Sequence, residues 1–177
     1  MAVVISLVTP AYNESSNILN LYNRLSGVMA AIGVEWEWIV VDDHSRDETF
    51  QVVQTIAASD QRVYCLRLSR NFGSHTAISC GLRHARGACA IVIAADLQDP
   101  PEVIPQLIHE WNQGSQTVWA AREARLGENK RSLFYAKIYY KLMRKFVGIS
   151  EMPEEGADFF LVDRVVIDAL ACYGERN

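Results

Sequence analysis

Along this chain, short and nearly unbroken apolar runs alternate with stretches in which apolar residues return every three or four positions. The run "VVISLVT" (3–9) leads into "PAYNESSNILNLYNRLSGVMAAIG", where Ile18, Leu21, Leu25 and Val28 or Met29 share one helical face and Asn13 or Ser15 can cap the start. The order recurs. "EWEWIVVDD" precedes "RDETFQVVQTIAAS", "RVYCLRLS" precedes "SHTAISCGLRHA", "ACAIVIAAD" precedes "PEVIPQLIHEWNQ", and "QTVWAAR" precedes a basic segment. Strands that alternate with helices at this spacing predict an α/β fold with a parallel sheet, because strands covered on both faces need no polar alternation.

Composition narrows this picture. A chain of 177 residues with 50% apolar and 21% charged residues has the size and balance of one folded domain without staples. Neither an internal repeat nor a low-complexity tract interrupts it, and one domain over 1–177 is expected. Cys65, Cys80, Cys89 and Cys172 form no C-x-x-C pair and sit mostly in apolar contexts, which predicts buried, reduced thiols and a reducing, cytoplasmic setting. No apolar run reaches the roughly 18 residues that a bilayer crossing needs. The net charge of −4 is unevenly spread: residues 122–145 carry eight Lys or Arg against two Glu, a local +6, which leaves −10 elsewhere.

Polar residues collect where the predicted strands end: "PAYNE", "DDHSRD", "SRNFG" and "ADLQD". In open parallel sheets ligands bind at those carboxyl ends. Neither G-x-x-x-x-G-K-[ST] nor a G-x-G-x-x-G after the first strand is present, so phosphate is not held by either glycine-rich device. A hard divalent cation offers another route, since Mg²⁺ or Mn²⁺ takes a few protein oxygens and completes its shell with substrate phosphates and water. Asp96 and Gln98 supply such oxygens, and in an extended segment residues two apart point the same way while Leu97 turns inward. The competing reading is a polar turn in which Asp99 caps the next helix.

Taken in order, "VTPAYNE", "VVDDHSRDET", "SRNFG", "AADLQDPPE" and "GADFFLVDRVVIDAL" resemble the motifs of family 2 inverting glycosyltransferases of the GT-A fold, and within them the polyprenyl-phosphate glycosyltransferases. The resemblance runs over essentially the whole chain. It implies a Rossmann-like, mostly parallel sheet with helices on both faces, forming a nucleotide-sugar-binding domain without the membrane-proximal part that follows in relatives. Pro10, Tyr12 and Glu14 match the loop that holds the nucleoside, Asp43 the carboxylate that reads the base edge, and Asp42 its supporting neighbour. Asp96 and Gln98 match the positions that bridge Mg²⁺ or Mn²⁺ to the donor diphosphate. Arg122 and Arg131 match basic positions that meet phosphate, and Asp158 matches the catalytic base or acceptor organiser. Ala94, Ser74 and Phe160 stand where many relatives carry Asp, Lys and Arg.

Plainer roles remain open for the same residues. Tyr12 packs a sheet edge or stacks on a base; Asp42 and Asp43 are solvated turn residues or site residues; Asp158 pairs with Arg164 or acts at the acceptor. The expected activity is transfer of a sugar from a UDP- or GDP-sugar to a membrane polyprenyl phosphate, with inversion. Residues 130–147 read as a basic amphipathic helix that lies on anionic lipid, placing the protein peripherally on the cytoplasmic face of the membrane. Nucleic acid is not expected as a partner, and self-association stays open. Two alternatives compete: a nucleotide-sugar-binding module without catalysis, and, more remotely, a phospho-acceptor receiver domain, another doubly wound sheet with an acidic pair.

Overall fold

The computed structural model describes residues 4–120 and 159–172. Five strands and four helices follow one another in the first stretch: β1 (Ile5–Ala11), α1 (Ser15–Ile32), β2 (Trp36–Asp42), α2 (Thr49–Ser59), β3 (Val63–Arg67), α3 (Ser74–His84), β4 (Cys89–Val92), α4 (Ile104–Asn112) and β5 (Thr117–Trp119). A 3₁₀ turn over Pro101–Val103 leads into α4, and β6 (Phe160–Asp163) with α5 (Arg164–Cys172) form the second stretch.

The strands make one sheet in the order β3-β2-β1-β4-β6-β5. β1, β2, β3 and β4 are mutually parallel, with Ile5 opposite Trp36 and Cys89. β6 runs against both its neighbours, Val92 facing Phe160 on one side and Trp119 facing Phe160 on the other. The expected parallel sheet is therefore interrupted by one reversed strand, and β5 joins the sheet beyond it rather than beside β4. A receiver domain is excluded by this order, since that fold is parallel throughout with its first strand between the second and third.

Unbroken apolar runs become the central strands because both faces are covered. Trp38 stacks on Tyr22 of α1, ring centroids 5.9 Å apart, whereas its neighbour Ile39 points to the other face and packs with Ala77 and Leu82 of α3 and Ile167 of α5. On α1 the residues buried are Ile18, Leu21, Leu25 and Met29, the predicted stripe. The helix stops at Gly33, whose left-handed φ of 75° lets its N–H reach the Met29 carbonyl. Its start differs from expectation: neither Asn13 nor Ser15 caps it with its own side chain. The thiols also divide, Cys89 being buried, Cys65 and Cys80 half-buried and Cys172 exposed. Burial pushes Cys65 and Cys89 up to about 12, which leaves both protonated and inert at neutral pH. Among the described residues no helix is long and apolar enough to cross a membrane.

At the amino ends of the strands a buried carboxylate is fully paired. Glu37 accepts the Ser6 hydroxyl at 2.7 Å, the Arg86 backbone N–H at 2.7 Å and the Arg86 guanidinium at 2.6 and 2.8 Å. Gly87 donates its N–H to the Ser6 hydroxyl, and Arg164 donates to the carbonyls of Ala85 and Gly87. Burying a charge is tolerable here because every oxygen of it is bonded. A Cβ on Gly87 would lie 2.7 Å from the Ser6 nitrogen, 2.8 Å from the Cys89 oxygen and 2.9 Å from the Ile5 carbonyl carbon, all backbone atoms with no room to yield. Gly87→Ala is therefore expected to destabilise the protein by about 2 kcal/mol or more in denaturant unfolding; a change under about 0.5 kcal/mol would show that the close approach is not rigid.

Candidate active site

The parallel strands end in loops that serve different directions. β1 passes its chain toward β2, while β4, next to it, passes its chain toward β5 at the opposite edge, so the two loops part and a crevice opens between them. The cleft there is lined by Pro10, Ala11, Tyr12 and Glu14 after β1, Asp43 after β2, Ser74 and Ile78 from α3, and Ala94, Ala95 and Asp96 after β4. Among the described residues, the non-glycine residues with positive φ are Asn13 (59°), His44 (61°) and Leu97 (61°). Each lies in a loop at this same end of the sheet. Left-handed backbone costs an ordinary L-residue about 1–2 kcal/mol, so its clustering marks loops bent for a purpose other than stability.

Of the residues singled out in the sequence, Pro10, Tyr12, Glu14, Asp43 and Asp96 meet in the cleft. Tyr12 presents an exposed ring (39%). Asp42 and Asp43 are buried, which excludes the solvated-turn reading. Asp43 accepts the N–H of Phe72 and of Gly73, both at 2.8 Å, and so fixes the loop that opens α3. Asp42 stands behind it, taking the Ser45 N–H at 3.1 Å, with the Arg67 Nε 3.2 Å from its other oxygen as an ion pair not aligned for a hydrogen bond. α3 turns its first residue, Ser74, toward the cleft, where a helix amino end favours anions.

Around Asp96 the extended geometry expected from the sequence is replaced by a turn. Leu97 is left-handed and half-buried, and the Gln98 N–H folds back onto Asp96 Oδ1 at 3.0 Å. Asp96 faces the cleft; Gln98 is exposed and is not part of its lining. Among the described residues no group of three His, Cys, Asp or Glu side chains converges as a metal cage. Arg122, Arg131, Asp158 and the segment 130–147 lie outside the described residues.

Sequence reasoning passed over the side chains that hold the β1–α1 loop. Asn13 donates its N–H to Ser45 Oγ at 2.9 Å, Glu14 to Thr49 Oγ1 at 2.8 Å and Ser15 to Asp47 Oδ2 at 3.1 Å. Asn13 Oδ1 in return accepts the Arg46 N–H at 2.8 Å. The S-x-D-x-T spacing inside "DDHSRDET" was visible as a pattern, but its partner loop was not.

Comparison with known proteins adds a family. The profile of glycosyl transferase family 2 matches residues 6–170. An uncharacterized glycosyltransferase of Synechocystis is 39% identical over 177 residues, 100% of this chain and 55% of the relative. A bactoprenol glucosyl transferase of Shigella phage SfV is 36% identical over 173 residues, 98% of this chain and 56% of the relative. The chain thus spans about half the length of the curated relatives it matches. Two solved structures share its fold: mannosyl-3-phosphoglycerate synthase from Rubrobacter xylanophilus (TM-score 0.71, 21% identity, 93% of this chain and 54% of that one) and the mannosyltransferase PcManGT from Pyrobaculum calidifontis in complex with GDP-Man and Mn²⁺ (TM-score 0.63, 18% identity, 96% and 47%).

The loop geometry sets a titration. Partial burial works to raise the pKa of Asp47, but hydrogen bonds from Thr49 and Ser15 outweigh it and hold the carboxyl at about 2 against an ordinary 3.8. A carboxyl depressed in the folded state contributes stability that is present above its ordinary value and lost as the pH falls through its folded one. Carboxyl-carbon NMR is expected to show Asp47 still ionised at about pH 3; a midpoint near its ordinary value would mean that the loop bonds do not form.

Proposed function

The chain belongs to glycosyl transferase family 2, and from that membership we propose that it transfers a sugar from a nucleotide-diphosphate donor to a polyprenyl phosphate, with inversion at the anomeric carbon. The observation that carries this reading is the convergence of the loops after β1, β2 and β4 on one crevice at the strand switch, with an aromatic ring, three carboxylates and a helix amino end lining it. An exposed Tyr12 ring offers a stacking surface for a nucleobase. Asp43 keeps lone pairs beyond those used by Phe72 and Gly73 and accepts a base N–H. Ser74, at the start of α3, meets the diphosphate.

Asp96, in the cleft, is the residue that would hold a divalent cation, Mg²⁺ or Mn²⁺, and Gln98 would join it only by turning its side chain in from outside the lining. The donor set fits a cation of that kind and not a softer metal: one exposed carboxylate in the cleft, an amide oxygen two residues on, and no sulfur or imidazole cluster among the described residues. When bound, such a cation neutralises charge on the leaving diphosphate. The remaining work falls to the protein. An acceptor phosphate oxygen attacks the anomeric carbon opposite the bond to the diphosphate, that bond's electrons leave with the nucleoside diphosphate, and the configuration inverts. Because a polyprenyl phosphate is already ionised near neutral pH, Asp158 orients it rather than removing a proton. Arg122 and Arg131 add charge-assisted bonds to phosphate. The basic, amphipathic sequence of 130–147 suits the anionic cytoplasmic surface where such an acceptor resides, and resemblance to a bactoprenol glucosyl transferase supports the acceptor class.

Calorimetry of the full chain against UDP-glucose and GDP-mannose, with and without Mn²⁺, tests the reading. Metal-dependent binding of one donor is expected, and Asp96→Ala should weaken it at least about tenfold, the equivalent of about 1.4 kcal/mol. Undiminished metal-dependent affinity in that variant would remove Asp96 from the site, and no binding of either nucleotide by the wild type would remove the function.

A further inference from the structure

The amino end of α1 is capped in an unusual way. An α-helix leaves its first N–H groups without partners, and the residue before the helix ordinarily answers one of them with its own Ser, Thr, Asp or Asn side chain. Here that residue is Glu14, which makes no such cap and instead lines the cleft, its carboxylate taking the Asn17 side-chain amide at 2.7 Å. The chain entering the helix is instead held by oxygens of the β2–α2 loop and of the first residue of α2. Among Ser45, Asp47 and Thr49, spaced two apart, Ser45 accepts the N–H of Asn13, Thr49 that of Glu14 and Asp47 that of Ser15.

This arrangement does more than a cap requires. A Ser or Asp at position 14 would cap the N–H two or three residues on and would not reach those of Asn13, Glu14 and Ser15, which need the loop more than thirty residues away in sequence. With the helix entry held from that loop, position 14 carries a side chain that lines the cleft rather than one that caps. The bonds also hold Asn13 in its left-handed conformation from both sides, through its N–H to Ser45 and its Oδ1 from Arg46. Tyr12 precedes that bend, and with its ring exposed (39%) it depends on its backbone for its position. Ser45 and Thr49 are buried and only Asp47 of the three is partly accessible, so the set is built into the fold rather than formed on binding. Asp47 is itself fixed, its Oδ1 accepting both the N–H and the hydroxyl of Thr49.

We infer that Ser45, Asp47 and Thr49 are positioning residues for the donor: they touch no part of the nucleotide sugar and preorganise the Tyr12–Glu14 segment that does. The inference rests on the donor-site reading given above. A ligand-binding loop that is already ordered spares the ligand the cost of ordering it, so loosening the clamp lowers affinity without removing any contact.

The test uses the full chain and two readouts. Thr49→Val keeps the side-chain shape but removes the oxygen that receives the Glu14 N–H; Thr49→Ser keeps the oxygen; Asp47→Asn replaces the acceptor for Ser15 or turns a donor toward it. Amide exchange followed by NMR is expected to speed up about tenfold at Glu14 in Thr49→Val and at Ser15 in Asp47→Asn, with β1 and β2 unchanged, while Thr49→Ser behaves as the wild type. Calorimetry with UDP-glucose and GDP-mannose plus Mn²⁺ should show donor affinity falling about five- to tenfold in Thr49→Val and Asp47→Asn and restored in Thr49→Ser. Combined with Tyr12→Ala, Thr49→Val should cost little more than Tyr12→Ala alone, since the ring it positions is gone. Wild-type affinity in folded Thr49→Val, or losses that simply add to that of Tyr12→Ala, would overturn the inference while leaving the donor site standing. Should Asp47→Asn fail to fold, Thr49→Val decides alone. A wild type that binds neither nucleotide sugar takes down the donor-site reading, and the inference with it.

Discussion

Two parallel strands that lie side by side but send their chains toward opposite edges of the sheet leave a gap that no short loop can close. β1 and β4 stand in that relation, and the crevice above them is where Tyr12, Asp43 and Asp96 come together. The gap is a property of strand order and does not depend on any single side chain. What the side chains decide is whether the loops around it keep one shape, because their backbone amides have left the sheet ladders and must find partners elsewhere.

Buried and half-buried carboxylates supply those partners at both ends of the sheet, with opposite results. At the amino ends Glu37 meets Ser6 and Arg86 in a closed, neutral network that joins β1, β2 and the turn before β4. At the carboxyl ends Asp43 and Asp47 accept backbone N–H groups of neighbouring loops. The first arrangement locks strands together and ends there. The second leaves charged, rigid loops around an open cleft, which is the condition for electrostatic recognition without reorganisation when a ligand arrives.

Strands β1 to β4 and their helices were legible because continuous apolar runs and three-or-four spacing are local properties. The direction of β6 was not: "FLVD" reads as strand material either way, and only pairing with Val92 on one side and Trp119 on the other reverses it. The burial of Asp42 and Asp43 was hidden for the same reason, since the amides of Phe72 and Gly73 that reward it come from a distant loop. At Asp96 the local rule itself failed, because alternation in an extended chain presumes a φ that Leu97 does not adopt. The cleft residues were reached through resemblance to a family, whose ordered motifs encode the tertiary arrangement that single-residue chemistry leaves undetermined.

The reversed strand has an effect on what the scaffold tolerates. Since β6 opposes β5 and Trp119 lies opposite Phe160, the chain departs from the sheet and rejoins it at adjacent points, and both points are at the cleft end. Closing a loop between neighbouring anchors costs free energy that grows only with the logarithm of its length. The intervening sequence can accordingly be lengthened, shortened or exchanged without shifting the register of a single strand. Such a socket lets one sheet carry different inserted segments.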